Sequence, residues 1–327
     1  MPSKRVGDLL VPAERWLHRP IIPTAVGADK GGRAPGMPWR RAAMLAMMIS
    51  TRMGQEAVTV TRISKTDEGA WPPGLAYFRV GAGAPLLFLP GLSGEPDTPS
   101  GLDLTLQLHL LTPFARSREL IWLNRRRGLA PPATMAQIAA DFATVIRERL
   151  PPPVDVIGVS TGGSVALQLA VDHPELVRRL VVVSAAHRLS DNGLRVQREI
   201  AAAVRSGRPR RAGAVGVAAM AATGLGALVL GAGGWVMGRR TFGNAGPDLL
   251  AMLDAEDDFD LQPQLGRITA STLVIGAEKD RYYTPRLFRD TAAGIPDARL
   301  ILYPRIGHMG TTLQRRFPRD VLSFLEA

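Results

Sequence analysis

The sequence predicts an α/β fold: a mostly parallel sheet flanked by helices, with a helical insertion late in the chain. Three observations carry this. Short apolar runs bounded by Gly and Pro alternate with segments of helical period, the order that builds parallel strands joined by right-handed crossovers. Gly158-Val159-Ser160-Thr161-Gly162 stands between an apolar run, Val154–Ile157, and the start of a helix. Asp280 and His308 each follow a later apolar run by a few residues. In open parallel sheets, the C-terminal strand ends are where ligands and chemistry collect.

Residues 1–54 read as an extension outside the core, rich in Pro, Gly and Arg and without a sustained period. Within it, Ala42–Ile49 is apolar behind Arg40-Arg41. It lies too far from the start for a secretory leader and reads as a short docked helix, or as sequence upstream of a start at Met37 or Met53. Ala57–Ile63 and Leu75–Val80 then read as antiparallel first strands, with Val58, Val60 and Arg62 sharing one face. Pro85–Leu89 is a buried strand, Leu102–Arg116 has leucines at helical spacing, and Leu120–Leu123 is a strand. Met135–Leu150 is a helix that Pro151-Pro152-Pro153 must end. Strand Val154–Val159, a helix over 161–172 and strand Leu180–Ser184 complete the first part of the core, 55–186. The second part, 266–327, holds strands Thr272–Gly276 and Ala298–Tyr303.

A serine two residues from a glycine on either side, at a strand-to-helix junction, fits a sharp turn with strained backbone angles that leaves no room for bulky neighbours. Such a turn lifts the hydroxyl clear of the sheet and points the next helix's N-terminal end at charge that develops beside it. Gly-x-Ser-x-Gly alone is a weak signal in a chain with 34 glycines. Its weight comes from context, the serine being followed in order by Asp280 and His308 past their strands. Glu278 is a rival for the acid. Leu86–Leu89 running into Pro90-Gly91-Leu92-Ser93-Gly94 is a fourth feature, a strand entering a glycine loop.

These four motifs, in this order, resemble the α/β-hydrolase superfamily over about residues 56–186 and 266–327. The resemblance implies an α/β-hydrolase sheet with a helical cap, 187–265, inserted before the acid strand. It implies Ser160 as nucleophile, His308 as base and Asp280 as the acid that orients it. Backbone N–H groups of Leu92 and Thr161 would form the oxyanion hole. The family usually has His-Gly where this chain has Pro90-Gly91, which leaves the backbone donor in place but removes the histidine's own hydrogen bonds. A serine nucleophile argues against the dehalogenase and epoxide-hydrolase subclasses.

Composition narrows the field. Cysteine is absent, which excludes disulfides, a thiolate nucleophile and a cysteine metal site, and fits a cytoplasmic protein. The five histidines show no metal-ligand spacing. His109 and His173 read as ordinary helix residues, and His187, just past a strand, as one that can line a pocket. No metal or organic cofactor is implied. Net charge is +11, with nine Lys/Arg against three Asp/Glu in residues 1–52. This reads as an Arg-rich solvated surface rather than a nucleic-acid footprint, since no aromatic-basic interleaving or nucleic-acid fold is visible. Arg125-Arg126-Arg127 reads as a solvated loop, with an acidic substrate group as the alternative.

Within the insertion, Ala212–Gly238 carries no charge over 27 residues, 16 of them Gly or Ala, between Arg210-Arg211 and Arg239-Arg240. Length alone suggests a membrane span. A single span would put Ser160 on one side and Asp280 with His308 on the other, so the stretch reads instead as cap helices broken near Gly224-Leu225-Gly226 and Gly231–Gly234. Asp254, Glu256, Asp257, Asp258 and Asp260 read as a solvated acidic face. A cap this apolar implies a small hydrophobic substrate. The expected activity is hydrolysis of a carboxylic ester or related acyl bond. The alternatives are a non-catalytic ligand-binding relative and a membrane-surface lipase, with weak membrane contact as a partner.

Overall fold

The computed structural model describes residues 64–327. The extension 1–54, its apolar stretch Ala42–Ile49 and the strand expected at 57–63 lie outside them. Eight strands form one sheet: β1 (Asp67–Trp71), β2 (Leu75–Gly81), β3 (Ala84–Leu89), β4 (Arg118–Arg126), β5 (Val154–Val159), β6 (Val177–Val183), β7 (Ser271–Ala277) and β8 (Ala298–Tyr303). Their order is β1-β2-β4-β3-β5-β6-β7-β8. β1 with β2, and β2 with β4, are antiparallel; every other pair is parallel. The first hairpin is therefore Asp67–Trp71 with Leu75–Gly81.

Both faces of the sheet are covered, so the central strands read as unbroken apolar runs rather than alternating ones. Along β6, Leu180 and Val182 enter one core while Val181 and Val183 enter the other. Helices α1 (Gly101–Ala115) and α9 (Phe317–Glu326) close one face, where Phe114 meets Phe317 edge-on at 6.0 Å. Helices α2 (Met135–Arg149), α3 (Thr161–Asp172) and α8 (Pro285–Gly294) close the other. Thr134 caps α2 through a capping box with Gln137, which fixes where that helix starts. The leucine spacing of α1 gives a helix as expected, but Leu111 and Phe114 carry its burial, and Leu102 and Leu106 stay exposed.

β4 continues past Leu123, because Arg126 pairs with Leu75 across the antiparallel ladder. Arg125 and Arg126 are thus strand residues, not loop residues. Arg126 pairs with Asp141 of α2, and Arg127, just beyond the strand, pairs with Asp97.

The insertion between β6 and β7 folds as α4 (Asp191–Arg205), α5 (Pro209–Ala219), α6 (Gly224–Phe242) and α7 (Pro247–Asp257). The break near Gly224 is present as a turn that Thr223 ends by capping α6. The break expected at Gly231–Gly234 is not there: α6 runs straight through it. Gly234, with Gly238 one turn further on, serves close approach instead. A Cβ on Gly234 would lie 2.2 Å from the carbonyl oxygen of Gly213, and one on Gly238 would lie 2.5 Å from that of Pro209. The backbones of α5 and α6 touch, and only glycine permits it. No described helix is long and apolar enough to cross a membrane.

Candidate active site

The chain reverses its direction of sheet growth at β3: β4 lies on one side and β5 on the other. This switch point opens a crevice at the C-terminal ends of β3 and β5, and the site forms there. Ser160 sits directly after β5 with φ 53° and ψ −125°, outside the regions L-residues ordinarily occupy. The two flanking glycines explain how the turn closes. A Cβ on Gly158 would meet the Gly162 carbonyl oxygen at 2.4 Å, and one on Gly162 would meet that of Leu89 at 2.3 Å. The Ser160 N–H donates to Val183 of β6 at 2.8 Å, which ties the turn to the sheet.

His308 Nε2 lies 2.9 Å from Ser160 Oγ, and His308 Nδ1 lies 2.8 Å from Asp280 Oδ2. A carboxylate only accepts, so Nδ1 carries the proton and Nε2 is left to accept from the serine. Asp280 Oδ1 accepts from the backbone N–H groups of Tyr282 at 2.8 Å and Tyr283 at 3.1 Å. Asp280 and His308 are both buried. Glu278 is exposed, and its nearest donor is the Arg305 N–H at 3.3 Å, so the rival acid stands away from the histidine. Among the described residues, no cluster of three or more His, Asp or Glu could hold a metal ion.

Leu92 and Thr161 line the same cavity as Ser160. Thr161 opens α3, so its N–H belongs to the first turn and has no acceptor within the helix. Leu92 lies in the loop after β3, close enough that a Cβ on the preceding Gly91 would sit 3.4 Å from the Ser160 Cβ. With Pro90 in the usual histidine's place, this loop is held from β4. Asn124 Nδ2 and Arg125 Nη1 each donate to Ser93 Oγ at 3.1 Å, and Arg125 Nη2 donates to the Ser93 carbonyl at 3.0 Å. Burial pulls the Arg125 guanidinium down to about 10, against Asp248 and Asp97, which favour its charged form. The residue that replaces the histidine's support is thus one of the arginines expected in a solvated loop.

Glu256 is the second correction. It is 1% exposed, not part of a solvated face. Its Oε2 accepts from Thr161 Oγ1 at 2.9 Å and Gln197 Nε2 at 2.7 Å; its Oε1 accepts from Ser164 Oγ at 2.8 Å and Tyr283 OH at 3.2 Å. Four donors occupy the four lone-pair sites of one carboxylate. Burial first, and Glu256 second, push the Tyr283 hydroxyl well above its ordinary pKa. The Tyr283 ring lies nearly parallel to His308, centres 6.1 Å apart. The signal was available: Leu249, Met252, Leu253 and Glu256 share one helical face, and the first three are buried. Asp254, Asp258 and Asp260 are exposed, as expected.

The cavity beside Ser160 measures about 360 Å³. Leu110 of α1 contributes to its wall, and the insertion supplies Ile200, Val217, Met220 and Phe242. His187 is not in it. That ring borders a larger, more open and more polar groove of about 670 Å³ on the far side of the Asp280 loop, where burial lowers its pKa. The smaller, apolar cavity is lined by Ser160 and His308, so it is the candidate substrate pocket. The arrangement can activate a hydroxyl, hold the resulting imidazolium against a carboxylate and close an apolar chamber over both.

Residues 86–321 match the model of the alpha/beta hydrolase family. The chain belongs to this family. A Mycobacterium tuberculosis H37Rv protein named as a non-heme bromoperoxidase, BpoC, is 27% identical over 246 residues, spanning 72% of this chain and 91% of its own. Among solved structures, a hydrolase from Pseudomonas aeruginosa PA01 superposes with a TM-score of 0.66 at 25% identity, covering 82% of this chain and all of its own. The enol-lactonase from Burkholderia xenovorans LB400 shares the fold at a TM-score of 0.65 and 20% identity, covering 80% of this chain and 100% of its own. For this α/β hydrolase, the insertion between β6 and β7 is the part that shapes the pocket.

Proposed function

We propose that the protein is a serine hydrolase that cleaves a carboxylic ester, or a related acyl bond, of a small hydrophobic substrate. The observation that carries this reading is the unbroken relay from Ser160 Oγ through His308 to Asp280, with links of 2.9 and 2.8 Å. Ser160 Oγ bonds to the carbonyl carbon as His308 Nε2 takes its proton. Asp280 holds the ring's tautomer and stabilises the imidazolium. The N–H groups of Leu92 and Thr161 bind the oxyanion, aided by the N-terminal end of α3. Collapse breaks the bond to the leaving alkoxide, which takes the proton back from His308. Water then attacks the acyl-enzyme, giving its proton to the same nitrogen, and releases the acid and Ser160.

The apolar wall from the insertion supports a hydrophobic acyl or alcohol half. The test is a chain-length series of p-nitrophenyl esters. Wild type is expected to show a burst of p-nitrophenol as the acyl-enzyme accumulates, and Ser160→Ala to lose on the order of a million-fold in kcat. Val217→Asp should flatten the preference for longer chains. The activity named for the mycobacterial relative supplies the competing assay. Bromide oxidation by peroxide, undiminished in Ser160→Ala and without ester turnover in wild type, contradicts the proposal.

A further inference from the structure

The insertion carries a second surface that hydrolysis does not use. Residues 200–247 contain six arginines and no Asp or Glu. Arg205 pairs with Asp254, and Arg240 faces Asp103. Among the described residues, Arg208, Arg210, Arg211 and Arg239 join no ion pair. These four line one surface groove of about 500 Å³ together with Trp235. The Arg210 guanidinium stands 4.2 Å from the centre of the Trp235 ring.

The groove adjoins an uncovered apolar face. On α6, Gly234 and Gly238 turn inward to α5. Leu225, Leu228, Val229 and Val236, at spacings that keep them on one side, turn outward, Leu225 and Leu228 with 75% and 73% exposure. Water-facing surfaces seldom keep aliphatic side chains in such a stripe, and one bordered by cations marks a docking face. A helix with aliphatic residues outward and Trp with Arg at its end matches a helix that lies in a bilayer interface. Nucleic acid fits worse, because the stripe offers it no charge. A second copy fits worse, because in a two-fold contact of this face with itself residues 200–247 offer no Asp or Glu to pair with the arginines.

We propose that the α5–α6 hairpin docks the protein on a bilayer of anionic phospholipid. The outer face of α6 enters the acyl boundary, and the arginine groove takes the headgroup phosphates and carboxylates. The same hairpin walls the candidate pocket through Val217, Met220 and Phe242. Docking therefore brings a pocket wall to the membrane, where apolar esters concentrate. The inference stands apart from the catalytic reading, since Ser160→Ala should dock as wild type does.

The experiment is co-sedimentation of the full chain with phosphatidylcholine vesicles, with and without one-third phosphatidylserine, at low and high salt. Wild type should bind the phosphatidylserine vesicles and be released by salt. Leu225→Asp with Leu228→Asp, and separately Arg210→Glu with Arg211→Glu, should each lower the partition by about tenfold or more. Circular dichroism and melting temperature should match wild type, which shows that both variants fold. Wild type left in the supernatant at low salt overturns the proposal. So does binding that both variants keep in full, because attachment then comes from elsewhere in the chain. A concentration-dependent dimer that the leucine variant abolishes, without vesicle binding, assigns the face to a second copy instead.

Discussion

Two buried carboxylates flank Ser160, and they spend their oxygens differently. Asp280, from the loop after β7, gives one oxygen to the His308 ring and the other to two backbone N–H groups. Glu256, from α7 of the insertion, gives both oxygens to side chains: two hydroxyls of α3, one amide of α4 and the Tyr283 hydroxyl. Asp280 therefore meets the one group that becomes charged in the proposed reaction. Glu256 meets only groups that stay neutral. In that proposal the first is placed to act on a rate, whereas the second holds the insertion, α3 and the loop after β7 together. Tyr283 touches both, its N–H on Asp280 and its hydroxyl on Glu256.

The contrast can be broken by substitution. The largest expected effect is Asp280→Asn, which leaves the backbone N–H contacts an oxygen but removes the charge beside His308. It should lower kcat by roughly ten-thousand-fold with little change in melting temperature. Glu256→Ala should do the opposite. It leaves buried donors on Thr161, Ser164, Gln197 and Tyr283 without an acceptor and should cost about 3–5 kcal/mol, roughly a 10 °C fall in melting temperature. Its kcat should fall far less than that of Asp280→Asn; an equal fall would erase the distinction. Arg125→Met tests the loop after β3. Freed from its bonds to Ser93, that loop should misplace the Leu92 N–H and lower kcat by about 10- to 100-fold, with KM little changed. The smallest effect is expected at Gly234→Ala, whose Cβ forces α6 away from Gly213 at a cost of about 1–3 kcal/mol, read as a lower denaturant midpoint.

The core and the insertion also differ in how far the sequence discloses them. Ser160, Asp280 and His308 each follow an apolar strand, and the parallel sheet brings strand ends together, so local pattern leads to the constellation. Arg125 was hidden because the apolar run of β4 stops at Leu123, whereas the ladder continues to Arg126. Pairing, not hydropathy, extends that strand. Glu256 was hidden by composition: four aspartates within seven residues pointed to solvent, although the helical register of Leu249, Met252 and Leu253 placed it inward. Gly231–Gly234 read as a break because glycine is a poor helix former. The use of Gly234 becomes visible only when Gly213 of the neighbouring helix stands opposite. What stayed illegible depends on contacts between elements distant in the chain.

The central claim is that the relay activates the Ser160 hydroxyl. The most direct measurement is reaction with a fluorophosphonate probe, followed by mass-spectrometric mapping of the adduct in wild type, Ser160→Ala and Asp280→Asn. A single adduct on Ser160, absent from Ser160→Ala and strongly slowed in Asp280→Asn, is the predicted result. Folded wild-type protein that stays unlabelled, or that carries the adduct on another residue, would contradict it.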